Sequence, residues 1–230
     1  MNAKAVMTLA ALVAVAGGAR VAHACSPYGL IGAKWNQLGG ASSPLGRCVD
    51  DEHDDGRGGR IETFQSGWID WDGHSSAAYA VYGLIGAKWN QLGAAAFGHP
   101  TDDETGAPDG YGRYNWFRDI NGNVATIYFN PRSYYCGTDH YCQAYAVYGA
   151  ILGEWARLGY ERSQLGYPES DEAAYTQYGA RPGERISTFD NGFIRWRPDG
   201  SILSKLENGR CLNETGSYLT DQQNGIDWCY

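Results

Sequence analysis

The sequence predicts a mainly β protein with short helices, assembled from tandem hairpin-plus-helix repeats and stapled by disulfides. Three observations carry that expectation. A string of twelve residues, YGLIGAKWNQLG, runs from Tyr28 to Gly39 and returns unchanged from Tyr82 to Gly93, and a diverged version, YGAILGEWARLG, runs from Tyr148 to Gly159. Each copy is followed by aromatic and β-branched runs broken by glycine-bearing turns. The six cysteines form an even set of the kind that closes small exported units.

The helix of each copy follows from its spacing. Ile31, Trp35 and Leu38 fall at i, i+4 and i+7, as do Ile85, Trp89 and Leu92, and Ile151, Trp155 and Leu158. That places one apolar stripe on two helical turns, with the tryptophans expected in the core. Gly39, Gly93 and Gly159 stand where a left-handed residue ends a helix.

A bend comes next: Leu45-Gly46-Arg47-Cys48, Phe97-Gly98-His99-Pro100 and Leu165-Gly166-Tyr167-Pro168. Acids follow each bend, Asp50-Asp51-Glu52, Asp102-Asp103-Glu104, and Glu169 with Asp171-Glu172. A hairpin closes the unit. In the third copy Arg185–Phe189 and Phe193–Trp196 flank Asp190-Asn191-Gly192, a strong short-range hairpin signal. Arg60–Phe64 with Trp68–Trp71, and Tyr114–Ile120 with Val124–Phe129, are its counterparts, while 78–81 and 144–147 read as extended leads into the next helix. A single unit cannot bury all its apolar faces, whereas stacked units can. The expected layout is therefore a signal segment at 1–24, a repeat domain at 25–205 with units at 28–81, 82–147 and 148–205, and a disulfide-pinned closing segment at 206–230.

With the bend written LGRC, FGHP and LGYP after an I-x-x-x-W-x-x-L-G helix, the chain resembles the LGFP-repeat proteins over about 28–205. The resemblance implies export, hairpin-plus-helix repeats in a propeller-like ring, and association with bacterial cell-wall polysaccharide. Family members often accompany an amidase or mycolyltransferase domain, for which this chain has no room.

The address is consistent with that. Lys4, the apolar run 5–16 and Ala22-His23-Ala24 read as a secretory signal with cleavage after Ala24. No later run is apolar for long enough to span a bilayer. All six cysteines lie beyond the signal, and their order favours Cys25–Cys48, Cys136–Cys142 and Cys211–Cys229 among fifteen connectivities. Eighteen basic against 26 acidic residues disfavour nucleic acid and polybasic membrane attachment. Homo-oligomerisation is compatible with an open array.

The residues do not assemble a catalytic signature. There is no G-x-S-x-G, and His53, His74, His99 and His140 occupy no repeated position. The acidic run 50–55 would suit a carboxylate-based wall hydrolase, but acids recur after every bend, whereas a catalytic pair is one unique constellation. Cys136, His140 and Cys142 match no standard zinc spacing and the EF-hand pattern is missing, so no metal or cofactor is expected. A binding surface remains. Sugars present apolar faces rimmed by hydroxyls and favour flat aromatics beside polar groups. Trp71, Tyr128 and Trp196 end the hairpins, Arg60, Arg113 and Arg185 begin them, and Asp102 and Asp103 represent the acidic loop. The competing role for these arginines is to brace neighbouring repeats by pairing with the acids. The expected activity is thus non-catalytic glycan binding outside the cell, with a small wall hydrolase or a protein-binding adaptor as the alternatives.

Overall fold

The computed structural model describes residues 25–133, 136, 142–177 and 179–212. The expected signal segment 1–24, His140 and Cys229 lie outside the described residues, and with them the expected Cys211–Cys229 bridge.

Three helices form where the apolar stripes predict them: α1 (Gly29–Gln37), α2 (Gly83–Gln91) and α3 (Gly149–Leu158). Gly39, Gly93 and Gly159 end them at φ of 109°, 104° and 107°, a backbone that side chains with a Cβ rarely adopt. Between and after the helices, the described residues form thirteen strands in three antiparallel sheets. The first sheet is β1 (His53–Asp54), β2 (Arg60–Phe64), β3 (Gly67–Trp71) and β4 (Tyr79–Tyr82) in that order. The second holds β5 (His99–Pro100), β7 (Arg113–Arg118), β8 (Val124–Phe129) and β9 (Ala144–Tyr148), with β6 (Thr105–Gly106) also on β7. The third is β10 (Ala173–Ala174), β11 (Arg185–Phe189), β12 (Gly192–Trp196) and β13 (Ile202–Leu206).

The last strands of the first two sheets run straight into the next helix, and this sets the stacking. Alternate side chains of a strand point to opposite faces, so β4 can serve two layers. Ala80 packs with Ile31, Phe64 and Ile69 under α1, whereas Val81 packs with Ile85 and Trp89 of α2. Likewise Ile127 and Ala146 face α2, while Tyr128 and Val147 face α3. The result alternates α1, first sheet, α2, second sheet, α3, third sheet. No hydrophobic cluster among the described residues joins the first sheet to the third. The architecture is thus three antiparallel sheets and three short helices in alternation, and the described residues do not themselves form a closed ring.

The bend earns its sequence by receiving the helix. The indole N–H of Trp35 donates to the Gly46 carbonyl at 3.0 Å, that of Trp89 to Gly98 at 2.8 Å, and that of Trp155 to Gly166 at 3.2 Å. Trp89 and Trp155 are fully buried, so an unpaired indole there would be costly. Trp35 is part-exposed, and among the described residues no sheet precedes α1. The last bend residue, Cys48, Pro100 or Pro168, pairs with Phe64, Phe117 or Phe189. Cys48 keeps that backbone role and also bridges to Cys25, and Cys136 bridges to Cys142. Both are pairings the cysteine order favours.

The sequence reading missed the two-residue strands β1, β5, β6 and β10, and one full-length strand. β13 pairs with β12 as β4 pairs with β3 and β9 with β8. In β13, Ser204 stands opposite Ile194, as Ala80 stands opposite Ile69. It takes the place in the third sheet that the lead strands β4 and β9 take in the first and second.

Candidate functional site

Three sets of polar residues recur at the joints of this stack. The first is a self-contained clamp within each unit. Arg60 Nε donates to Glu52 Oε1 at 2.9 Å and its Nη2 to the Glu52 carbonyl at 3.1 Å. Arg185 repeats this on Glu172 at 2.8 and 3.1 Å, and Arg113 on Glu104 with a close side-chain contact. Each guanidinium also donates to the tyrosine before the helix, Tyr28, Tyr82 or Tyr148. Hydrogen bonding to the glutamate holds all three arginines above their ordinary range. Burial pushes Glu104 up, against the pull of Arg113. The arginines therefore bind acids of their own unit.

The second set joins neighbouring units. Lys34 on α1 reaches Asp103 of the next acidic loop at 2.7 Å, and Lys88 on α2 reaches Asp171 at 2.8 Å. The other oxygen of each aspartate accepts a strand N–H, from Ala80 at 3.0 Å and Ala146 at 2.8 Å. In the third helix the lysine position holds Glu154, which pairs with Arg157 and accepts from the Ser204 hydroxyl at 2.6 Å. Asp102, next to Asp103, accepts the Trp116 N–H at 2.8 Å, and burial raises its pKa.

The third set is a cleft at the amino ends of α1 and α3. In the first unit Tyr28, Gly29, Leu30, Glu52, Arg60 and Trp71 surround a cavity of about 210 Å³. In the third, Tyr148, Gly149, Ala150, Glu172, Arg185 and Trp196 surround one of about 370 Å³. The strand register explains the meeting: Arg60 lies opposite Trp71, and Arg185 opposite Trp196. Arg113 lies opposite Phe129, which takes the corresponding place in the second unit. Tyr128 points to the other face, is 3% exposed, and closes edge-on against Trp155. Sequence alternation could have identified Phe129, because the residue opposite the arginine is fixed by hairpin length. A larger cavity, about 620 Å³, lies between Gln164, Asn191 and Glu207 beside the end of β13, and contains none of the predicted residues.

The match to known proteins follows these units. The LGFP-repeat model matches residues 45–96 and 97–163, just over half of the chain. The protein belongs to the LGFP-repeat family. Each matched span opens on a bend and ends beyond the following helix, so the LGFP unit is a sheet together with the helix that its last strand feeds. No curated protein matches the chain. The disulfides fit an extracellular LGFP protein, and no helix among the described residues is long and apolar enough to cross a membrane.

Proposed function

We propose that this LGFP-repeat protein is a secreted, non-catalytic binder of bacterial envelope polysaccharide, using the clefts at the heads of α1 and α3. The observation that carries this reading is the recurrence of one cleft: an aromatic ring, a guanidinium and a carboxylate meet at the same place in the first and third units. A pyranose face stacks on a ring such as Trp71 or Trp196, and its rim hydroxyls hydrogen-bond to the adjoining Arg–Glu pair. Clefts of this size engage one or two sugars weakly. A polymer that meets several at once is held far more firmly, by about 10² to 10⁴.

The acids that would serve a hydrolase are occupied in this reading. Glu52, Glu104 and Glu172 hold arginines, and Asp103 and Asp171 hold lysines and strand amides. The family resemblance supplies the envelope as the source of the glycan. Neither a closed propeller-like ring nor self-association is required, because one chain already presents two such clefts.

The test is retention of the exported chain on purified wall fractions, with release by free wall oligosaccharide. Retention without sugar release, or no retention, overturns the proposal. Solubilisation of wall material would favour the hydrolase, and capture by protein alone the adaptor.

A further inference from the structure

The junction between the first and second units carries three ionisable side chains that neither the clefts nor the clamps use. Asp55 lies in the loop before β2, Asp70 on β3 and His99 on β5. His99 Nδ1 is 2.7 Å from Asp70 Oδ1 and 3.5 Å from Asp55 Oδ2. The three side chains are 11%, 0% and 1% exposed in that order. Oδ2 of Asp55 and Oδ2 of Asp70 are both buried without a hydrogen-bond partner. Two buried carboxylates with idle oxygens converge on one imidazole, so the junction is short of positive charge.

The next junction shows that packing does not require this. There β8 places Tyr128 where β3 places Asp70, the bend places Tyr167 where it places His99, and Asp109 occupies the loop position of Asp55. Tyr167 donates to Asp109 at 2.6 Å and its ring lies 6.1 Å from Tyr128. The same joint is closed with phenols in one place and with a His–Asp–Asp set in the other.

We infer that Asp55, Asp70 and His99 form a site for one divalent transition-metal ion of the zinc class, which ties the first unit to the second. Imidazole with carboxylates suits such an ion better than calcium or magnesium, which favour all-oxygen shells. One ligand atom from each residue lies within 4.8 Å of the others. Zinc holds nitrogen and carboxylate oxygen at about 2.0–2.2 Å, so side-chain rotation brings the three into range. The proton shared by His99 and Asp70 leaves as the ion enters. A cavity of about 340 Å³ bordered by His99, Asp72, His74, Arg57 and Arg118 gives entry and room for a water as the remaining ligand.

The experiment titrates ZnCl₂ into the untagged, chelator-treated chain by calorimetry and follows Tm. One saturable equivalent is expected, with Tm rising by roughly 5–10 °C at about a hundredfold excess over Kd, and no rise with Ca²⁺ or Mg²⁺. The double variant Asp70→Tyr/His99→Tyr copies the neighbouring junction, so it is expected to fold and to lose the zinc response. In the unaltered chain, cobalt(II) should give visible bands of a low-coordinate site, with one imidazole and oxygen donors by X-ray absorption. Absence of saturable binding, binding unchanged in the double variant, or a metal environment without imidazole would each overturn the site. Wall retention is read separately, so loss of glycan binding leaves this result standing.

Discussion

Lys34 and Asp103, 69 residues apart, meet at 2.7 Å and close the joint between the first two units. The lysine side chain is 9% exposed, and the aspartate holds it with one oxygen and the Ala80 amide with the other. The same arrangement recurs at Lys88, Asp171 and Ala146. A single carboxylate thus fastens the preceding helix and the strand that feeds the next one.

Removing that carboxylate should strip two charge-assisted contacts and strand a mostly buried ammonium. Asp103→Ala is expected to cost about 2–4 kcal/mol, and Asp103→Asn less, because the amide oxygen can still accept from Ala80. Urea denaturation at neutral pH measures both. Equal losses in the two variants would show that the charge has no part in the joint.

The buried indoles should be as sensitive. Trp89 has no exposure and bonds the Gly98 carbonyl, while its ring stacks near Phe117 at 6.2 Å. Trp89→Ala is expected to lose about 3–5 kcal/mol by leaving a cavity between two sheets. Trp35→Ala should lose less, since Trp35 is already part-exposed. Thermal unfolding of the pair gives the comparison.

Stability should also depend on pH through Glu62. Its carboxylate is 1% exposed, neither oxygen has a partner, and burial, reinforced by Glu52, Asp51 and Asp50, pushes its pKa up to about 7. Since this exceeds the unfolded value of 4.5, a neutral Glu62 contributes stability fully below that value, and the contribution disappears as pH rises through 7. Glu62→Gln is expected to raise Tm by about 2–4 °C at pH 8, equivalent to ~1 kcal/mol, and to give no gain at pH 4. Scanning calorimetry at both values decides.

In the clefts, Trp71→Ala and Trp196→Ala should each weaken wall retention about three- to tenfold, the worth of one aromatic platform. The double variant should fall by more than either factor alone, because avidity is lost with the second site. Circular dichroism confirms that the fold persists, and a double variant no weaker than the singles would argue for one site.

Much of this was legible from residue order. The i, i+4, i+7 stripes located all three helices, the glycines marked their ends, and the arginine-to-tryptophan span of the first and third hairpins was sufficient to bring Arg60 to Trp71 and Arg185 to Trp196. Short-range geometry governs these features, so local sequence states them. The second hairpin shows the limit. Tyr128 and Phe129 are adjacent and both aromatic, and only pairing across from Arg113 decides which one faces the cleft.

By itself, then, the sequence determined the repeating unit, its helix, bend and hairpin, and the two described disulfides, because each depends on contacts within a few tens of residues. Tertiary structure decided what each polar residue does. It sent the arginines to glutamates of their own unit and gave the joints to Lys34 and Lys88. It also turned an unremarkable histidine into the partner of two buried aspartates. Those outcomes depend on how one sheet lies over the next helix, and a charge finds its partner by distance in space, which no local pattern encodes.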